Sequence, residues 1–361
     1  MNSLKVVLAA GGTGGHLFPA EALANELIGR GAEVALISDD RAAAYAGTFP
    51  APLHQVKAGT VTGSGLFSKI RGALSLLSGT REALGLMSRL KPDVVVGFGG
   101  YPTVPPVYAA TIRRIPTIIH EANGVMGRAN NFLAARVTRI ATGVPLAKND
   151  HAAKTVVTGN PVRPPVLAAA AMPLATIAVD GPLNLLVFGG SQGAKVMSEV
   201  VPPALALLPE PLRARLSLVQ QARAEDSDKV QKAYALMGVQ AEIAPFFRDL
   251  PQRIAAAHLV ISRSGASTVA ELAVIGRASI LVPLPGSIDQ DQAANARLLA
   301  DAGAALVQRQ DGFTPEWLAG EIARLMAAPG QLAGMAGKAR SVAVPDAARR
   351  LADLVFATAR R

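Results

Sequence analysis

The chain has 361 residues, half of them hydrophobic and only 17% charged, which excludes disorder and exceeds what one hydrophobic core usually organises. Its lack of cysteine excludes disulfides, thiolate metal sites and cysteine nucleophiles. A formal net charge of +10 calls for a polyanionic partner, and with aromatics at 4% and no nucleic-acid motif, phosphorylated substrates or anionic lipid fit better than nucleic acid.

Residues 5–10 read as a first β-strand running into glycines, with no cleavable apolar leader. Gly11-Gly12-Thr13-Gly14-Gly15-His16 follows and opens a helix, a place where backbone comes close to a ligand and free N–H groups face an anion. A dinucleotide fingerprint starting at Gly12 and Gly14 needs its third glycine at position 17, where Leu17 stands, although Asp39 and Asp40 end the second strand where a ribose-binding acid belongs. A plain strand-to-helix turn and an anion site both remain open for this loop.

Between residues 54 and 114 stand eight basic residues against two acidic ones. Leu66, Phe67, Ile70, Leu74 and Leu77 recur there at helical spacing, which fits either a core-facing helix or a basic helix lying on lipid. The longest uncharged stretch, residues 94–112, is broken by three glycines and three prolines and forms no bilayer helix. After a strand at 117–119, His120-Glu121-Ala122-Asn123 puts ionisable and amide groups at a strand's carboxyl end, where α/β enzymes keep their sites.

Gly159-Asn-Pro-Val-Arg-Pro-Pro continues neither a helix nor a central strand and marks a boundary, giving domains at 1–163 and 164–344. Residues 183–205 then repeat the opening pattern of strand, glycine cluster (Gly189 to Gly193) and helix. Strands at 216–219, 259–261 and 279–282 alternate with helices, so each half reads as a doubly wound parallel sheet. Arg263-Ser264-Gly265-Ala266-Ser267-Thr268-Val269-Ala270-Glu271 opens a helix and suits a diphosphate with a ribose, or is simply a helix capped by Ser264 or Ser267. Asp289-Gln290-Asp291 lacks the third ligand of a metal site and reads as a loop. A final helix at 347–359 closes the chain.

Taken together and in order, Gly11 to Pro19, Gly97-Phe-Gly-Gly-Tyr-Pro, His120 to Gly124, Gly159 to Arg163, Gly189 to Ala194, Arg263 to Glu271 and Asp289 to Ala296 resemble the MurG family. These are family 28 glycosyltransferases that add N-acetylglucosamine to lipid I on the cytoplasmic face of the bacterial membrane. The resemblance implies the α/β GT-B fold, two doubly wound Rossmann-like domains facing across a cleft. It implies that the first domain takes the acceptor and meets the membrane and that the second binds UDP-GlcNAc, while the C-terminal helix (345–361) is open to packing on its own half or back on the first domain. It further implies an inverting transfer to the 4-hydroxyl of the muramyl sugar, giving lipid II, with no cofactor, no metal and no nucleic acid partner. The implied partners are UDP-GlcNAc, lipid I and an anionic membrane surface on the cytoplasmic face of the inner membrane.

Carried over by motif, Ser191 and the turn through Ser264, Gly265, Ala266, Ser267 and Thr268, with Val269 and Ala270 behind it, meet the diphosphate. Glu271 meets the ribose, the backbone near Phe247 the uracil, and Gln292 the sugar hydroxyls. Thr13, Gly14, Gly15 and Asn123 close on the donor sugar, Arg163 reaches it from the boundary, and Tyr101 lies on the acceptor side. His16 is the first choice as general base and Glu121 the second. Two positions depart from the family pattern: Gln220-Gln221-Ala222-Arg223 replaces a His-Gln pair followed by Ser/Thr-Gly, and Asp291 stands where Gln or His is common. A UDP-sugar epimerase of the same fold and an NAD enzyme are the rival readings.

Overall fold

The structure is a computed structural model that describes residues 3–11, 14–40, 49–56, 66–176, 178–190, 193–287 and 291–359, the side chains of 66–74 excepted. Two compact units divide the chain, Met1–Arg163 together with Pro345–Arg361, and Pro164–Val344.

The first unit is a seven-stranded sheet of β1 (Lys5–Ala9), β2 (Glu33–Ser38), β3 (Leu53–Gln55), β4 (Val94–Gly97), β5 (Thr117–Glu121), β6 (Arg139–Thr142) and β7 (Thr155–Val157). Every pairing is parallel, in the order β3-β2-β1-β4-β5-β6-β7. The near-continuous apolar runs of β1 and β4 follow from burial on both faces, since parallel crossovers place helices on each side. Those helices are α1 (Gly14–Gly29), α2 (Leu66–Leu90), α3 (Val104–Ile112) and α4 (Arg128–Ala134).

The second unit is a six-stranded parallel sheet, β8 (Leu183–Phe188), β9 (Leu216–Gln221), β10 (Ala241–Ala244), β11 (Leu259–Ser262), β12 (Ala278–Leu281) and β13 (Ala305–Val307), ordered β10-β9-β8-β11-β12-β13. Its helices are α5 (Pro164–Ala170), α6 (Lys195–Leu207), α7 (Glu210–Arg213), α8 (Ala224–Leu236), α9 (Leu250–Ala256), α10 (Ala266–Ile275), α11 (Asp291–Asp301), α12 (Pro315–Ala327) and α13 (Pro329–Ser341).

The last helix, α14 (Ala347–Ala359), belongs to the first unit. Leu351, Ala352 and Val355 share a core with Leu23 and Leu27 of α1. Arg30 seals that seam, 2.6 Å from the Asp353 carboxylate and over the Phe356 ring. Composition could not reveal this packing, because an amphipathic helix carries no label for its partner.

In each sheet the strand order reverses between the first strand and the fourth. Open α/β sheets hold their ligands at that switch point, beside the loops after the two strands. In the first unit they are Gly11–Gly15 after β1 and Gly97–Tyr101 after β4; in the second they are Gly189–Gly193 after β8 and Arg263–Gly265 after β11.

Candidate active site

His16 stands in the first turn of α1, half-buried, and its Nδ1 lies 2.9 Å from the Phe98 carbonyl oxygen. A carbonyl only accepts, so Nδ1 carries the ring proton and the neutral imidazole keeps its lone pair on Nε2. Three glycines make room for the ring. A Cβ on Gly11 would lie 3.1 Å from His16 Cδ2, one on Gly99 3.4 Å from Cε1 and Nδ1, and one on Gly100 3.3 Å from Nε2. Gly100 also has φ 77° and ψ 158°, a backbone region essentially closed to other residues. Gly11 N–H donates to Gly99 O at 3.2 Å, tying the two switch-point loops together. Gly100→Ala is therefore expected to tilt the imidazole and lower kcat about 100-fold, on the order of what a misplacement near 1 Å costs. The measurement is kcat beside a thermal melt, and an unchanged kcat would contradict the cradle.

Glu121, at the end of β5, is buried and fully engaged. One carboxylate oxygen accepts from the Asn123 backbone N–H (3.0 Å) and side-chain amide (2.9 Å). The other accepts from Gly127 N–H (2.9 Å) and Asn130 Nδ2 (2.8 Å). Four donors on one carboxylate hold the 121–130 loop and with it Asn123, leaving little lone-pair capacity for a substrate proton. His120 is buried too, with Nε2 3.2 Å from Gly159 O, and burial pushes its pKa down to about 4, so it is neutral at physiological pH and links β5 to the boundary segment.

Arg163 lies flat on Phe18 of α1, its guanidinium carbon 3.7 Å from the ring centroid. Tyr101 is 40% exposed at the head of the turn after Gly100, and Gly14 is buried while Gly15 is exposed. Thr13 lies outside the described residues, as does Ser191 in the second unit.

In the second unit, a Cβ on Gly189 would overlap the backbone of Gly193 and Ala194, so only glycine closes this loop. Gln221 clamps it: its Oε1 accepts from Gly189 N–H at 2.9 Å, and its Nε2 donates to Gly190 O and Pro245 O, both at 3.0 Å. Both departures from the family pattern at 220–223 thus have a local account. Gln220, fully buried, accepts from the Tyr234 hydroxyl, and Arg223 packs its stem against Gly193 while pairing with Asp226 at 2.7 Å.

α10 begins at Ala266 with Gly265 as its N-cap and no side-chain capping bond, so neither Ser264 nor Ser267 caps it. The first-turn N–H groups of Ala266, Ser267 and Thr268 have no intrahelical acceptor, the arrangement that suits an anion at a helix start. The Ser264 hydroxyl instead donates to Gln292 O at 2.8 Å, and Gln292 Oε1 accepts from Leu284 N–H at 3.0 Å, which holds α11 beside that start. Arg263 is buried, donating to Val282 O, Pro283 O and Gln310 Oε1. Val269 and Glu271 are buried behind the turn, and Ala270 is half-buried. Phe247 is buried beneath the Arg253 guanidinium, which sits 4.2 Å from its centroid. Asp291 turns back to accept from Gln292 N–H, and among the described residues no group of three or more His, Asp or Glu is placed to hold a metal ion.

Sequence reading did not anticipate Gln221, Asn130 or Arg263 as braces. Buried polar residues at strand ends were their available signal, but partners 9 to 47 positions away carry no local pattern.

Two parallel α/β units, each with a glycine loop and a helix start at its switch point, define the class: residues 6–142 match the glycosyltransferase family 28 N-terminal domain and residues 184–351 its C-terminal domain. The chain belongs to glycosyltransferase family 28. It is 59% identical over 360 residues to the UDP-N-acetylglucosamine–N-acetylmuramyl-(pentapeptide) pyrophosphoryl-undecaprenol N-acetylglucosamine transferase of Methylobacterium sp. (strain 4-46), covering 98% of this chain and 96% of that one. The protein of the same name from Chelativorans sp. (strain BNC1) is 55% identical over 356 residues, covering 98% and 95%. Among solved structures, Acinetobacter baumannii MurG superposes with a TM-score of 0.79 at 33% identity, covering 99% of this chain and all of that one. A UDP-GlcNAc 2-epimerase from Neisseria meningitidis, at TM-score 0.68 and 15% identity over 98% of this chain and all of that one, shares the fold alone.

Proposed function

We propose that the chain transfers N-acetylglucosamine from UDP-GlcNAc to the muramyl 4-hydroxyl of lipid I, yielding lipid II and UDP. One observation carries the substrates: identity of 54–59% across essentially the whole chain to enzymes named for that donor and acceptor. Under this reading the second unit holds UDP. The α10 amides and the Ser267 and Thr268 hydroxyls, with the loop carrying Ser191, take the diphosphate, the Ser264 backbone lying beside them while its hydroxyl braces Gln292, and Val269 and Ala270 continue that helix. Glu271 takes the ribose, the backbone at Phe247 the uracil, and Gln292 the sugar hydroxyls. The first unit supplies Thr13, Gly14, Gly15, Asn123 and Arg163 to the donor sugar and Tyr101 to the acceptor side.

The acceptor oxygen attacks the anomeric carbon as the bond to the diphosphate breaks, inverting the centre to a β-linkage. The 4-hydroxyl proton passes to His16 Nε2, and UDP leaves with the bonding pair. Helix-start N–H groups stabilise the charge that develops on the leaving diphosphate. The Phe98 contact favours His16 over Glu121 as base, because it holds the ring proton on Nδ1 and the basic lone pair on Nε2, whereas the Glu121 oxygens already accept four donors.

The membrane-held acceptor places the enzyme at the cytoplasmic face of the inner membrane. In support, Leu77 of α2 and Ile112 of α3 are 67% and 53% exposed, near exposed Arg81, Arg113 and Arg114, and α2 packs on α3. No described helix is long and apolar enough to cross a bilayer. Incubation with labelled UDP-GlcNAc and a lipid I analogue, with and without chelator, is expected to give a disaccharide-lipid product. Epimerisation of UDP-GlcNAc with no transfer would overturn the reading.

A further inference from the structure

We infer that Glu21 is a positioning residue for the transfer, acting through Arg163: it supplies the counter-charge that keeps the guanidinium over Phe18 while leaving its terminal NH₂ groups unpaired for the anionic nucleotide-sugar donor. The inference rests on the donor role proposed for Arg163 above.

Phe18 and Glu21 are three residues apart on α1 and so neighbours on one helix face. Arg163 covers the Phe18 ring at 3.7 Å, which brings its charge over the same face. Among the described residues Arg163 makes no hydrogen bond and no ion pair, and its Nε is buried without a partner. The Glu21 carboxylate likewise has no hydrogen-bond or ion-pair partner among them, although it is half-buried. Burial pushes its pKa up, and the Arg163 charge is what pulls the other way.

A half-buried carboxylate held short of contact costs desolvation without the return of a hydrogen bond. Direct contact would occupy the guanidinium fork bidentately and compete with a phosphate or sugar oxygen for the same donors. Without a direct hydrogen bond, Glu21 attracts and orients the cation and does not cap it. The cation–π contact fixes the plane of the guanidinium, and the carboxylate fixes the side from which it is held.

The test is initial-rate kinetics of the full chain with UDP-GlcNAc and a lipid I analogue. Glu21→Ala is expected to raise KM for UDP-GlcNAc about tenfold, with kcat within about twofold and an unchanged melting temperature. Glu21→Asp should recover part of the loss. In an Arg163→Met background, Glu21→Ala should add nothing, because the residue acts only through the arginine. An unaltered KM in Glu21→Ala, or a further tenfold rise in the Arg163→Met background, overturns the role of Glu21. An unaltered KM in Arg163→Met alone instead overturns the donor assignment of Arg163.

Discussion

His16→Ala is expected to lower kcat by about 10²–10⁴-fold, the usual contribution of a positioned general base, with KM for UDP-GlcNAc changed far less. The fold should survive, since the half-buried ring sits against glycines and donates to Phe98 O from the surface of the unit's core. His16→Gln is the sharper variant: it preserves a donor for Phe98 O but has no basic nitrogen, so it should be nearly as slow as alanine. Glu121→Gln provides the contrast. Its amide would turn an NH₂ toward the Gly127 or Asn123 donors that the carboxylate now accepts, which loosens the loop and lowers stability along with activity. Single-turnover rates beside thermal melts separate the two outcomes. Near-normal turnover in His16→Gln would remove His16 as the base.

Arg277→Met is expected to destabilise the second unit by about 1–3 kcal/mol, the range for leaving a buried hydrogen-bond acceptor unsatisfied. Arg277 is fully buried, yet among the described residues no carboxylate partners it. Its guanidinium donates to Ala255 O near the end of α9 and to Ile275 O and Gly276 O at the end of α10. Carbonyls at two helix C-termini present the negative ends of two macrodipoles, and the cation answers both. Burial and the nearby Arg340 charge lower its pKa to about 10, so it remains charged at neutral pH. Methionine would fill most of the volume but take the guanidinium donors from Ala255 O and Gly276 O, while Ile275 O keeps Arg340 at 3.4 Å. Trp317, the sole tryptophan, packs against the core of this unit, and its fluorescence in urea reports the loss. A shift below about 1 kcal/mol would show that water replaces the guanidinium at little cost. Because α10 carries the proposed diphosphate site at its other end, donor KM should rise in the same variant.

Much of this architecture was legible before any coordinates. The opening strands of both units, β4, β5, β9, β11 and β12, announce themselves as apolar runs because parallel strands are covered on both faces. β3, β6, β7, β10 and β13 did not, being three or four residues long and, apart from β6, largely unburied. β3, β7, β10 and β13 are the edge strands, where one neighbour is missing and the apolar demand falls. The site divides in the same way. The glycine loops and the Ser264–Glu271 helix start are local patterns and were readable, while the choice between capped helix and open anion site was not. The fold removes only the side-chain cap, since the Ser264 hydroxyl turns to Gln292 O.

Sequence by itself therefore determined the repeating α/β plan, the two glycine loops and the family, because each is written in contiguous residues whose spacing sets a backbone conformation. Tertiary structure alone decided which groups are left to act. The Phe98 carbonyl selects the His16 tautomer from 82 positions away, four donors within nine positions saturate Glu121, and α14 returns to α1 from the far end of the chain. Hydrogen-bond saturation and helix partnership depend on what folding brings within about 3–4 Å, and no local pattern records that distance.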